Sequence, residues 1–368
     1  MRRNTGDGPP VFALLGAGGT GGHTYPAVAL ARELVARGHA VDSVRFVGGN
    51  RGFEEQVVRE AGFAIDVLPI GRGLERRLTL RNVGVVAGAL RSLWDAHRLV
   101  RRFRPHVVVG FGSYVSLPCV VAARLSRIPT VVHEQDAAPG LANRLSVRLG
   151  ACAAASLPDT PLRGARLVGN PVRAEFADLV RAPSVPPLLA IVGGSLGAGT
   201  LNATGLGLAE RWRHRDDVAI HHVTGPRNYD ECQRRLAAVR FPDDRLGYTL
   251  VPYEDHIDQL YARCSVALCR SGSGSVAELT AAGVPSILVP LPGAPSDHQM
   301  HNAKTLEAHG AAVVVPDAEC TAERLDPLLQ AMLCDPDRLL EMSRAARAMA
   351  RTDAAARMAD YVEECARA

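Results

Sequence analysis

Residues 16–26 read Gly-Ala-Gly-Gly-Thr-Gly-Gly-His-Thr-Tyr-Pro, between the apolar run Val11–Leu15 and a stretch of helical periodicity. That stretch puts Ala27, Leu30, Ala31, Leu34 and Val35 on one face and Arg32, Glu33 and Arg37 on the other, with Pro26 near its start and Gly38 at its end. Strand, glycine turn and helix in this order open a βαβ unit. Glycines at this density let the backbone approach an anion closely, and the N–H groups of the first helical turn point at its charge. The loop reads as a phosphate cradle. His23 adds a group that can take a proton near neutral pH; a histidine bonded only to its own loop is the structural alternative.

Outward from the loop, β-branched runs recur at Val44–Val47, Ala64–Ile70, His106–Gly110 and Thr130–His133, with helical patterns between them. The alternation predicts a parallel sheet covered by helices on both faces. It restarts after the proline-rich stretch Ala182–Pro187, with strands expected at Leu188–Val192, Ala219–Val223, Thr249–Val251, Val266–Leu268 and Ser286–Val289. The second half also runs from a strand into glycines, LLAIVGGSLGAGTLN. Two doubly wound domains facing across a cleft are expected. The expected boundaries are a tail over 1–10, a first domain over 11–175, a linker over 176–187, a second domain over 188–345, and a C-terminal helix over 346–368 that packs back on the first.

Length and composition agree with two cores: 368 residues, 47% hydrophobic and 22% charged. A net charge of +4 is too mild to point to nucleic acid. The eight cysteines form no CxxC pair and no zinc spacing, which suggests reduced thiols in a cytoplasm. The start MRRNTGDGPP does not read as a signal peptide, and the longest uncharged stretch, Val107–Ala123, is too short to span a bilayer. The single Asp-x-Asp string, Asp335-Pro336-Asp337, reads as a helix start, so no metal and no cofactor is expected.

A dinucleotide fold would place an acidic residue at the end of the second strand to bind ribose, whereas here that strand ends Val47-Gly48-Gly49-Asn50. This counts against NAD. Seven segments narrow the reading: GGTGGHTYPA (Gly18–Ala27), GSYVSLP (Gly112–Pro118), HEQDAAPGLAN (His133–Asn143), GNPVR (Gly169–Arg173), GGSLGAGTLN (Gly193–Asn202), CRSGSGSVAELTAAGVP (Cys269–Pro285) and DHQMHNA (Asp297–Ala303). In this order, over almost the whole chain, they resemble the motifs of the MurG family of UDP-N-acetylglucosamine transferases.

The resemblance implies an inverting GT-B glycosyltransferase. It would move N-acetylglucosamine from UDP-N-acetylglucosamine to the C4 hydroxyl of a polyprenyl-pyrophosphoryl-muramyl-pentapeptide, at the cytoplasmic face of the plasma membrane. On that reading Gly18, Gly19, Thr20, Gly21 and Gly22 hold the acceptor pyrophosphate and His23 is the base, with Tyr114, Glu134 and Asn143 lining the acceptor site. Gly194, Ser195, Arg173, Ser273 and Ser275 take the donor phosphates, Glu278 the ribose hydroxyls, and Gln299, His298 and Asp136 the donor sugar. A first-turn Glu278 stabilised by its helix dipole, and loop or surface roles for Arg173, His298 and Gln299, are the bland alternatives. UDP leaves as a stable anion once its charge is met, so one base suffices where a glycosidase needs two carboxylates.

Apolar residues Leu78, Leu80, Val83, Val85, Val86, Leu90, Leu93 and Trp94 are mixed with Arg72, Arg76, Arg77, Arg81, Arg91 and Arg98. The mixture suits contact with an anionic membrane surface, or else a helix with a solvated basic face. Three positions depart from the family pattern: Asp136 replaces asparagine, Leu196 glutamine and Ser113 glycine. They leave open a paralogue acting on another lipid phosphate. A nucleotide-sugar 2-epimerase would need carboxylates poised for elimination, and a non-catalytic recruitment subunit could dispense with His23, Ser195 and Glu278.

Overall fold

The computed structural model describes residues 11–18, 21–49, 53–68, 80–176, 179–194 and 197–367. They form two compact units, Met1–Arg173 with Asp353–Ala368, and Ala174–Thr352.

The first unit contains strands β1 (Ala13–Gly16), β2 (Val44–Gly48), β3 (Ala64–Val67), β4 (Val107–Gly110), β5 (Thr130–Glu134), β6 (Cys152–Ala155) and β7 (Arg166–Leu167). Its helices are α1 (Gly21–Ala36), α2 (Phe53–Glu60), α3 (Leu80–Phe103), α4 (Ser116–Leu125) and α5 (Leu141–Arg148). The sheet is parallel, in the order β3-β2-β1-β4-β5-β6-β7, so the chain reverses direction across it between β1 and β4. Ligand loops gather at such a switch point. Four-residue strands buried on both faces, such as Val107–Gly110, need the cover that the helices supply. α1 begins at Gly21, so Pro26 lies inside it and the Gly22 carbonyl loses its intrahelical donor.

The second unit holds β8 (Leu188–Val192), α6 (Gly199–Arg211), β9 (Ala219–Val223), α7 (Tyr229–Val239), β10 (Gly247–Val251), α8 (Ile257–Arg263), β11 (Val266–Cys269), α9 (Ser273–Ala282), β12 (Ser286–Leu288), α10 (His298–Ala308), β13 (Ala312–Val314), α11 (Ala322–Leu333) and α12 (Pro336–Met349). Its parallel order β10-β9-β8-β11-β12-β13 places a second switch point between β8 and β11. Leu189, Ile191, Trp212, Leu268 and Ile287 pack in one core.

The units divide at Arg173, ahead of the stretch expected as a linker. From Ala182 to Ser184 the chain lies along the second unit, with Ala182 N–H on Ala262 O at 2.9 Å and Ser184 N–H on Arg263 O at 2.8 Å. Backbone bonds of this kind anchor it. α12 stays with the second unit, and Asp335 caps it by accepting from Arg338 N–H at 3.0 Å. The last helix, α13 (Ala354–Arg367), joins the first unit, burying Met358, Ala359 and Val362 in the core beside α1. Arg37 fastens it by donating to Asp360 and to Ala356 O, and Arg166 makes a bidentate pair with Glu364 at 2.7 and 3.0 Å. Exposed pairs of this type are screened by solvent and contribute little, so the apolar face supplies most of the attachment.

Candidate active site

In the first unit three loops leave the ends of β1, β4 and β5. α4 comes so close to two of these ends that a Cβ on Gly16 would lie 3.0 Å from Ser116 Cα, and one on Gly110 2.9 Å from Ser116 Cβ. Glycine is required there by contact alone. After β1, Gly18 borders the buried Glu54, whose Oε1 accepts from Gly49 N–H at 3.0 Å. Gly19 and Thr20 lie outside the described residues. Gly21, Gly22 and the half-buried His23 form the first turn of α1.

After β4, Gly112 takes φ +74° and Tyr114 is half-buried. Ser113 is buried, its carbonyl accepting from Ser116 N–H and Oγ–H. A Cβ at Gly112 would meet Asn143 Nδ2 at 3.1 Å, Gln135 Oε1 at 3.3 Å and His23 Cδ2 at 3.7 Å, so these three side chains surround one small space.

Glu134 and Asn143, expected to line the acceptor site, are buried. Glu134 accepts from Asp136 N–H at 3.2 Å, Gly140 N–H at 3.0 Å and Asn143 Nδ2–H at 2.9 Å, closing the loop that leads from β5 into α5. Three donors favour its anion, but burial outweighs them and pushes the carboxyl up to about 7. Both side chains hold the loop. Asp136, expected with the donor sugar, is half-buried in the first unit, where its charge also raises Glu134. His133 is fully buried, and burial lowers its pKa to about 4.

In the second unit the loop after β8 turns through Gly194 at φ +80° and Gly197 at φ +77°, closed by Gly197 N–H on Gly194 O at 3.0 Å. Ser195 and Leu196 lie outside the described residues. After β11, Ser273, Ser275 and Glu278 follow one another on the first two turns of α9, all half-buried. Ser271 donates to Gln299 O at 2.8 Å and Asn302 Nδ2–H to Ser271 O at 3.0 Å, tying the β11 loop to α10.

Gln299 Oε1 accepts from Leu291 N–H at 3.0 Å, which leaves its NH₂ as the group free to donate. His298 Nδ1 lies 2.7 Å from Pro295 O; a carbonyl only accepts, so the proton sits on Nδ1 and Nε2 carries the lone pair. Arg173 is half-buried and ends the first unit.

One buried arginine behind these loops went unread in the sequence. Arg270 donates to Val289 O at 3.1 Å, Pro290 O at 3.3 Å and Asp317 Oδ1 at 2.5 Å, while Thr200 in the first turn of α6 donates to Asp317 Oδ2 at 3.2 Å. It thereby joins the β12 loop to the helix that follows the glycine turn. Its signal was a lone cation inside an otherwise small, neutral segment, Cys269–Ser275.

Residues 13–154 match the glycosyltransferase family 28 N-terminal domain and residues 188–358 the family 28 C-terminal domain. UDP-N-acetylglucosamine–N-acetylmuramyl-(pentapeptide) pyrophosphoryl-undecaprenol N-acetylglucosamine transferases from Desulforudis audaxviator and Alkalilimnicola ehrlichii are 38% and 39% identical to this chain. Each alignment covers 96% of it, and 98% and 99% of the relatives. The chain belongs to the MurG family. The crystal structure of MurG from Acinetobacter baumannii superposes with a TM-score of 0.78 at 29% identity, over 97% of this chain and 100% of that one. The two units are therefore the two Rossmann-like domains of a GT-B glycosyltransferase, as the MurG motifs imply. Among the described residues, no helix of this MurG-family chain is long and apolar enough to cross a membrane.

Proposed function

We propose that the chain transfers N-acetylglucosamine from UDP-N-acetylglucosamine to the C4 hydroxyl of lipid-pyrophosphoryl-N-acetylmuramyl-pentapeptide, with inversion to a β linkage. The observation that carries this reading is the end-to-end match at 38–39% identity to relatives bearing that name. His23 takes the proton of the acceptor hydroxyl as its oxygen bonds to the anomeric carbon, and the bond from that carbon to the UDP oxygen breaks with its electron pair going to UDP. Support for this role is the position of His23 between the glycine turn and Gly112.

Gly18 to Gly22 cradle the acceptor pyrophosphate; Gly194, Ser195, Ser273, Ser275 and Arg173 meet the charge that grows on UDP. Glu278 accepts from the ribose hydroxyls. The Gln299 NH₂ donates to the donor sugar, and His298 Nε2 accepts from it. The chemistry asks for no metal or cofactor.

At the cytoplasmic membrane face, Leu90 and Trp94 on α3 and Leu125 at the end of α4 are exposed, with the exposed Arg91, Arg98 and Arg124 on the same two helices. They form the contact with anionic lipid. Leu93 turns inward against the core, and the side chains of Leu78, Leu80, Val83, Val85, Val86, Arg72, Arg76, Arg77 and Arg81 lie outside those described.

Supplying UDP-N-acetylglucosamine with a short-lipid muramyl-pentapeptide tests the reading through the disaccharide product. His23→Ala should abolish turnover while UDP binding persists, and Glu278→Ala should weaken UDP binding at least tenfold. UDP release with a different lipid phosphate alone, a result that the Asp136 carboxylate makes worth seeking, would replace this acceptor with another.

A further inference from the structure

Gln135 is absent from the roles given above, yet its side chain is held in one orientation by a chain of bonds that runs outward from a backbone carbonyl. His133 Nε2 lies 2.9 Å from Gly169 O, with Ser156 Oγ at 3.2 Å sharing the same nitrogen. A carbonyl only accepts, so the His133 proton is on Nε2 and its Nδ1 holds a lone pair. Gln135 Nε2, 3.1 Å from that Nδ1, must therefore be the donor, and the amide oxygen faces the other way.

That oxygen, Gln135 Oε1, is buried and has no hydrogen-bond partner among the described residues. Asn143 cannot supply one, because its Nδ2 hydrogens go to His133 O at 3.0 Å and Glu134 Oε2 at 2.9 Å. An unpaired amide oxygen in the interior is costly and calls for an explanation. It is shielded from solvent, and a side chain already in the wall lies across from it. Across the space that Gly112 leaves open lies the imidazole of His23, with Gln135 Oε1 3.3 Å and His23 Cδ2 3.7 Å from the point a Cβ would occupy.

We propose that Gln135 is a positioning residue for His23, its side-chain carbonyl accepting one ring N–H so that the other ring nitrogen presents its lone pair to the acceptor hydroxyl. This rests on His23 as the base. Catalytic hydrogen bonds are often open in ligand-free structures, and a turn of the ring closes this one. When His23 takes the substrate proton it becomes a charged donor and the bond to Gln135 strengthens. His23 to Gln135, Gln135 to His133 and His133 to Gly169 O then all donate in the same direction, each polarising the next. No proton passes along the chain; it stays on His23. An uncharged amide does here what a carboxylate does for the histidine of a catalytic triad.

Imidazole-¹⁵N-labelled protein, with the His23 signals assigned by their loss in His23→Ala, reads the tautomer directly. The wild-type chain should show His23 in one tautomer and Gln135→Met a mixture, with kcat lowered about 100-fold and both KM values within about twofold. An unchanged tautomer in Gln135→Met overturns the proposal whatever happens to kcat, and so does an unchanged kcat. Gln135→Glu gives an independent reading should the Met variant misfold. A carboxylate at this position should move the titration midpoint of the assigned His23 signals up by about one pH unit; no movement overturns the contact. Full turnover by His23→Ala would remove the base instead, an outcome that the tautomer measurement keeps separate.

Discussion

Gly197→Ala should disable the donor loop, and the structure fixes why. Gly197 sits at φ +77°, where an alanine costs about 1–2 kcal/mol. Its Cβ would lie 2.6 Å from Asn228 Nδ2 and would overlap the carbonyl oxygen of Thr224, backbone that cannot swing aside. Thr224 is itself held, receiving Asn202 Nδ2–H at 3.1 Å on that oxygen and giving its own N–H to Val251 O at 3.0 Å. The glycine turn must therefore retreat, by about 1 Å, and misplacement on that scale costs about 100-fold in rate, or about 2.7 kcal/mol. Gly199→Ala is the control within the same run: among the described residues nothing lies within 4 Å of its Cβ, and it begins α6. That variant should stay within about 0.5 kcal/mol of wild type. Calorimetric titration with UDP and steady-state transfer rates read both variants. Wild-type UDP affinity and rate in Gly197→Ala, or equal losses in the two variants, would refute the argument that this turn holds the donor phosphates.

Glu134→Gln should become progressively more favourable than wild type as pH rises from 5 to 8, seen as a growing difference in melting temperature. Burial raises the folded-state carboxyl from 4.5 to about 7, so its contribution is whole below pH 4.5 and is lost as pH climbs through 7, by up to about 3 kcal/mol. His133 and His222 act in the opposite sense: both are held neutral with pKa lowered from 6.5 to about 4, so their contribution is present above pH 6.5 and drains away as pH falls toward 4. His222→Gln should flatten that acid limb of the melting curve, and an unaltered limb would rule the residue out. Replacing Leu90 and Trp94 together with serine should cut partition onto anionic vesicles at least tenfold, with little change in transfer to a water-soluble short-lipid acceptor; equal partition would place the membrane contact elsewhere.

The alternation of apolar runs and helical patterns made both sheets legible, because strands buried on both faces are written as unbroken β-branched runs such as Leu188–Val192. Three strands escaped. Cys152–Ala155 is built of Cys and Ala, whose small side chains carry no β signal, and burial between β5 and β7 decides its state. Arg166–Leu167 is two residues long, and Ala312–Val314 follows a glycine as a three-residue edge. The division between the units was displaced toward the prolines, since Pro183, Pro186 and Pro187 mark a chain that leaves regular structure without telling whether it leaves the domain.

The site divides along a physical line that residue type does not reveal. A glycine turn offers backbone N–H groups to an anion only while something behind it keeps those groups aimed, and in both units the backing is polar and buried. Glu134 with Asn143 holds the β5 loop, and Arg270 with Asp317 joins the β12 loop to α6. Read in sequence, a carboxylate and an amide within one motif look like ligands, while an arginine in a glycine-serine run passes unread. Burial is what the residue types do not show: Glu134 is 3% exposed and Arg270 8%. Removing Asp317 leaves the buried Arg270 charge uncompensated, at about 3–5 kcal/mol. Asp317→Asn should therefore lower the melting temperature of the second unit as well as weaken UDP binding. By contrast Glu278→Ala, on the half-buried face of α9, should weaken UDP binding and leave the melting temperature in place. A supporting residue moves both readouts and a ligand residue moves one, so the same pair of measurements on Asp136→Asn would decide which kind Asp136 is.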